Sequence, residues 1–140
     1  MKQIPVIFWT GTGNTQMMAD AIAEAINAAG AEAVVKNVSE ISADEAAGYD
    51  ALALGCPAMG AEVLEECEFE PFFTELEDKL AGKKVALFGS YGWGGTYMQD
   101  WEARVKDAGA ELVAEGVLAL GAPDDEAVAK LAEAGKLLAE

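Results

Sequence analysis

The chain reads as an α/β domain on a parallel sheet, and three observations predict it. Apolar, β-rich runs alternate with helical patterns from one end to the other. Several of those runs are nearly continuous in apolar residues, as expected when helices cover both faces of a parallel sheet. No linker, repeat or low-complexity segment breaks the alternation, which gives a sandwich with right-handed crossovers. At 140 residues and 52% hydrophobic, the chain suffices for one core and is short for two, so a single domain, 1–140, and a single site are expected.

The elements follow in order. Ile4–Trp9 is the first strand, with Pro5 near its start, where a missing N–H costs the ladder little. A helix beginning at Met17 places Met18, Ala21, Ile22, Ala25, Ile26 and Ala29 on one face and ends at Gly30, a C′ glycine. Ala33–Val38 is the second strand, Ser42–Ala47 a short helix and Asp50–Gly55 the third strand. Phe69–Leu80 reads as a helix with Pro71 in its first turn, where proline is tolerated. Lys84–Gly89 is the fourth strand; Met98, Trp101, Val105 and Ala108 then form a stripe closed by Gly109. Glu111–Leu120 is the fifth strand. After the stop-and-start signal Gly121-Ala-Pro-Asp-Asp, a last helix carries Val128, Leu131, Ala132 and Leu138.

Composition excludes whole classes of chemistry. With no histidine, serine or cysteine hydrolysis through an imidazole base is excluded, as is zinc held by imidazole. Nine basic residues against 25 acidic give a net charge of −16, which repels nucleic acid and anionic membranes and favours basic partners. A plainer reading is that acidity keeps a small protein soluble. Two cysteines, Cys56 and Cys67, make one bridge at most, so a reducing compartment is the default. With no signal-like or membrane-spanning run, a cytoplasmic protein is expected.

Ligands of such folds bind beyond the carboxyl ends of the strands, and three strand-exit loops there are unusual. The first is Trp9-Thr10-Gly11-Thr12-Gly13-Asn14-Thr15-Gln16. Helix N-terminal amides, close-approach glycines and hydroxyls make a phosphate cradle that needs no cation. A Walker A loop would require lysine, and a dinucleotide fingerprint would require glycine in place of Gln16. An ordinary N-cap explains Asn14 or Thr15 alone but not six such residues in succession. The second loop, Gly55-Cys56-Pro57-Ala58-Met59-Gly60-Ala61-Glu62, presents Met59, a soft side chain suited to a flat ring, although taken alone Met59 fits an ordinary packing role better. The third, Gly89-Ser90-Tyr91-Gly92-Trp93-Gly94-Gly95-Thr96, flanks Trp93 with glycines and so leaves it to cover a planar ligand or to pack back. Tyr91 fits either role; Trp9 and Trp101 read as core or core edge.

With these three loops in order, the chain resembles the flavodoxins over its whole length, and most of all the short-chain flavodoxins of anaerobic bacteria. The resemblance implies a three-layer sandwich with a five-stranded parallel sheet of order 2-1-3-4-5, binding one non-covalent FMN. It implies a low-potential one-electron carrier cycling mainly between semiquinone and hydroquinone, not an enzyme. It also implies that Thr10, Gly11, Thr12, Gly13, Asn14 and Thr15 hold the phosphate with Ser90. Met59 and Trp93 then enclose the ring, Gly60 offers a carbonyl to N5, and Glu62 accepts from N3. Pro57, Ala58, Ala61, Tyr91, Gly92 and Gly94 complete the cofactor loops, and no metal is implied.

Three positions depart from the family pattern. Pro57 replaces a serine that reaches the phosphate in some relatives, Ala61 stands where many carry Asp or Asn, and Gly94–Tyr97 is one residue shorter. The partners implied are basic-surfaced redox enzymes such as ferredoxin/flavodoxin-dependent oxidoreductases, hydrogenase or nitrogenase, met by a monomer. The acidic run Glu62, Glu65, Glu66, Glu68 and Glu70 is either a docking face for them or a solvated helix face. The competing reading is a small FMN-dependent quinone or disulfide reductase, which would need room for a second substrate. A signalling receiver domain fails because Phe8, Trp9 and Thr10 stand where its acidic cluster belongs.

Overall fold

Period-two alternation in the strands has a direct consequence: successive side chains go to opposite faces of the sheet, and each face needs its own helices. The computed structural model describes residues 2–9, 13–57, 67–91 and 96–140, and it shows this division. Strands β1 (Gln3–Phe8), β2 (Glu32–Asn37), β3 (Ala51–Gly55), β4 (Lys84–Tyr91), β5 (Glu111–Leu112) and β6 (Val117–Leu120) form one sheet. The order is β2-β1-β3-β4-β5, all parallel, with β6 also paired to β4. Helices α1 (Asn14–Ala28) and α5 (Asp125–Ala139) cover one face. The short α2 (Ala43–Ala46), α3 (Phe69–Glu77) and α4 (Thr96–Asp107) cover the other.

The two cores differ in texture. Ala51, Ala53 and Ala86 face α1 and α5 together with Ile4, Val6 and Phe88, whereas Leu52, Leu54, Val85 and Leu87 face α3 and α4. Small residues let helices approach closely, and Gly135 extends this to the helix pair. A Cβ there would lie 3.0 Å from both the Ala25 Cβ and the Ile22 carbonyl oxygen.

Several boundaries differ from the sequence reading for identifiable reasons. The expected fifth strand, Glu111–Leu120, is two strands sharing one sheet position: β5 pairs with Lys84 and Val85, and β6 with Phe88–Tyr91. The break comes where the Gly116 amide donates to Glu102 Oε2 (2.7 Å) instead of to a neighbouring strand. A side chain at Gly116 would collide with Met98. α1 starts at Asn14, three residues before the expected Met17, because Gly13 turns the chain into it with φ of 93°. α3 stops at Glu77 rather than Leu80. Pro5 is third in β1, yet the ladder to β3 begins only at Val6. β4 runs on through Ser90 and Tyr91, which the sequence placed in a loop. In α5 the buried stripe is Ala127, Leu131, Ala134, Gly135 and Leu138. Val128 is 42% exposed, because packing against α1 selects the small-residue face.

Arg104 staples α4 to α3. Its guanidinium is bidentate to Glu70 (2.8 and 2.9 Å), bonds Glu77 at 3.1 Å twice, and lies 4.7 Å over the Phe73 ring centre. The hydrogen bond from Arg104 holds the Glu70 carboxyl below its ordinary value against the opposing effect of burial. Strand starts and helix ends share one pole of a parallel sandwich, and most of the basic residues lie there. Lys2 donates to the Leu138 carbonyl, Lys83 donates to that of Tyr49, Lys84 opens β4, and Lys106 and Lys136 close α4 and α5. No helix among the described residues is long and apolar enough to cross a membrane.

Two outcomes follow. Gly135→Val forces α5 away from α1 and lowers unfolding free energy by about 1–3 kcal/mol, read from urea titration. For Glu70 the folded pKa lies below the unfolded value, so the stabilisation is present above the ordinary value of 4.5 and is lost as pH falls through the folded pKa. Glu70→Gln is therefore less stable than the parent near about pH 7, and the difference shrinks toward about pH 3.

Candidate functional site

At the opposite pole the strand ends lie level. The Trp9 amide donates to the Gly55 carbonyl (3.0 Å) and the Cys56 amide to that of Phe88 (3.1 Å), so the exits of β1, β3 and β4 are tied in sequence. Beside them α1 begins. The first N–H groups of a helix have no partner within it and carry the positive end of the helix dipole. In α2, α5 and the 3₁₀ turn Val38–Glu40 a side chain meets this need, Ser42 accepting from Glu45 N, Asp124 from Ala127 N and Asn37 from Ser39 N. Among the described residues α3 has no side-chain cap but carries Glu70 in its first turn. Among the described residues no side chain caps α1, and its first turn holds no acidic residue. An anion is the partner such a terminus accepts.

Two buried hydroxyls lie beside this terminus. Thr15, 1% exposed, and Ser90, 6% exposed, meet at 3.2 Å between Oγ1 and Oγ, although they lie 75 residues apart. One bond between two hydroxyls uses one proton, which leaves the second O–H to donate elsewhere. A buried pair with a donor to spare suits a multi-oxygen anion. The structure thus brings together two of the residues expected at the phosphate, Thr15 from the first turn of α1 and Ser90 from β4. Gly13 stands at the N-cap and Asn14 is the first helical residue rather than part of a loop.

Pro57, half-buried, follows β3. Tyr91, also half-buried, ends β4 and lines a cleft of about 210 Å³ with Leu118, Leu120, Asp124 and Lys130. Leu120 is 67% exposed at its rim. The remaining expected positions, namely Thr10, Gly11, Thr12, Ala58, Met59, Gly60, Ala61, Glu62, Gly92, Trp93 and Gly94, lie outside the described residues, as do Glu65 and Glu66. A second cleft, about 370 Å³, opens between α3 and α4 at Glu77, Asp78, Arg104, Asp107 and Ala108. Its guanidinium is already committed to Glu70 and Glu77, and it is not at the strand exits. Of the acidic run, Glu68 accepts from the Trp9 indole N–H (3.3 Å) and Glu70 is paired with Arg104. Glu70 is therefore an interhelical staple rather than an unpaired surface charge.

One residue escaped the sequence reading. Tyr97, 2% exposed, donates its hydroxyl to the Cys56 carbonyl at 2.7 Å. Burial pushes the phenol well above its ordinary value, so it is a donor throughout the working pH range. The available signal was Gly89, which the sequence set at a strand end but which lies inside β4 with no turn to make. A Cβ there would collide with the Tyr97 hydroxyl and the Cys56 carbonyl.

The chain is similar to known proteins over most of its length. The family model described as Flavodoxin matches residues 6–135. The chain is 48% identical over 135 residues to a flavodoxin of Clostridium beijerinckii, covering 96% of this chain and 97% of that one. It is 47% identical over 116 residues to a flavodoxin of Megasphaera elsdenii, covering 82% and 85%. The solution structure of two-electron reduced Megasphaera elsdenii flavodoxin matches with a TM-score of 0.89 at 43% identity, covering 97% of this chain and 98% of that one.

Proposed function

The chain belongs to the flavodoxin family of FMN-binding electron carriers, and on that premise we propose that it is a low-potential shuttle working on the lower of the two one-electron couples of FMN. It is an electron-transfer protein rather than an enzyme. The observation that carries the site is the buried Thr15–Ser90 hydroxyl pair beside the N-terminus of α1, which no side chain among the described residues caps. That donor set, helix N-terminal amides with two hydroxyls and no acidic residue in the first turn of α1, fits a phosphate monoester.

We assign Thr10, Gly11, Thr12, Gly13, Asn14 and Thr15, with Ser90, to the phosphate. Met59 and Trp93 enclose the ring, Gly60 offers its carbonyl to N5 and Glu62 accepts from N3. Pro57, Ala58, Ala61, Tyr91, Gly92 and Gly94 complete the walls. FMN, when bound, supplies the one-electron redox chemistry. The chain supplies the field. No lysine or arginine occurs in residues 9–16, 55–62 or 89–97, so the phosphate charge stays unneutralised near the ring. One negative charge at roughly 10 Å costs about 0.4 kcal/mol in water, or roughly 15–20 mV for adding one electron. Several such charges lower the second potential further.

The same field selects partners. A single domain, 1–140, acting as a cytoplasmic monomer, would meet basic-surfaced redox enzymes such as ferredoxin/flavodoxin-dependent oxidoreductases, hydrogenase or nitrogenase. The acidic segment from Glu62 to Glu68 is the docking face we assign.

Reductive titration of the purified yellow protein should resolve two separated one-electron steps, and denaturation should release FMN. A colourless protein that takes up no FMN would overturn the reading. Thr15→Val should weaken FMN binding by about 10- to 100-fold, the worth of a hydrogen bond to a charged group. Riboflavin, which lacks the phosphate, should bind both proteins alike, and an equal loss for the two ligands would remove Thr15 from the phosphate site. Electron-transfer rates to a basic partner should fall as ionic strength rises toward about 0.15 M; flat rates would remove the docking role.

A further inference from the structure

We propose that Tyr97 is a positioning residue for FMN. Its buried hydroxyl fixes the Cys56 carbonyl, the point from which the chain leaves β3 into residues 57–62, and so helps set the separation of the two one-electron potentials. The proposal deepens the assignment of residues 57–62 to FMN and rests on it.

Cys56 lies one residue beyond Gly55, where the β3–β4 register ends. Its amide is held by the Phe88 carbonyl (3.1 Å) and its own carbonyl by Tyr97 (2.7 Å), so this peptide direction is fixed from two sides. Pro57 follows, with φ locked near −65° by its ring. The orientation imposed on the Cys56 carbonyl is therefore carried onward with one rotation fewer to dilute it. β4 is shaped for the contact, since Gly89 is the position where any side chain would take the hydroxyl's place.

The same helix face also holds the far end of the segment. Tyr97, Trp101 and Arg104 follow one another at helical spacing on α4. Trp101 packs edge-on against Phe69 at 5.5 Å and against Phe73 at 5.9 Å, while Arg104 grips Glu70. Phe69 and Glu70 open α3, where the chain has returned from residues 58–66. One rigid helix thus sets both where this segment departs and where it arrives. Among the described residues the Trp101 indole N–H has no acceptor, so that contact is held by packing, and Tyr97 makes the polar contact at the departure point. In the assignment above, Gly60 offers its carbonyl to N5 from within this segment, and the strength of that contact depends on how closely its ends are held.

The test is a spectroelectrochemical titration of FMN-loaded Tyr97→Phe, which keeps the ring and removes the hydroxyl. The equilibrium constant between the two couples should change by about threefold or more toward a narrower gap, within the worth of one hydrogen bond. Amide hydrogen exchange at Cys56 should accelerate. Gly89→Ala, whose Cβ would collide with both the Tyr97 hydroxyl and the Cys56 carbonyl, should move the gap in the same direction. Ser42→Ala, which removes the α2 cap and lowers stability elsewhere, should leave it unchanged. A parent protein showing two separated steps with an unaltered gap in Tyr97→Phe overturns the positioning role alone, as does an equal shift in Ser42→Ala. A parent showing a single two-electron step overturns the FMN assignment and this proposal with it.

Discussion

The ring of Phe88 fills the space where Gly55 would carry a Cβ, and much of the molecule depends on that fit. The two residues are register partners in adjacent parallel strands. A slip of one residue would present every β4 side chain to the wrong face, putting Leu87 against α1 and α5 and Phe88 against α3 and α4. Because Gly55 also accepts the Trp9 amide, the same fit levels the end of β1. Three strand exits therefore finish at one height, and Thr15 and Ser90 can meet across 75 positions of sequence.

How much of this is legible in the sequence varies with how local the cause is. The parallel strands and α1 announce themselves through continuous apolar runs and a 3.6-residue stripe, and Gly30 and Gly109 end their helices with φ of 95° and 88° as their positions suggest. The split of the last strand depends on the Glu102 carboxylate reaching the Gly116 amide, a contact across 14 residues that no periodicity records. Val128 looks like core because valine is apolar. It is exposed because a glycine at position 135 determines which face of α5 can come close to Ala25.

The site shows the same gradient. Thr15 and Ser90 stand out because hydroxyls among glycines at strand ends are chemically unusual, and the phosphate role we propose for them comes from the family resemblance. Tyr97 is not readable in the same way. It begins a stripe that also contains Trp101, and an aromatic in a helix suggests packing before it suggests a hydrogen bond. What distinguishes it is a glycine eight residues earlier on another element. Glu70 errs in the other direction: it belongs by sequence to an acidic run, yet its charge is used in joining two helices.

The basic residues at the starts of β1 and β4 and the ends of α4 and α5 have a consequence for motion. In a body of net charge −16, cations gathered at one pole displace the centre of charge from the centre of mass. Such a body experiences torque as well as attraction near a positive surface. It rotates before it touches, and the pole that trails is the one rich in lysine. A larger share of collisions then arrives with the strand-exit end leading, and this alignment requires no contact between the two surfaces.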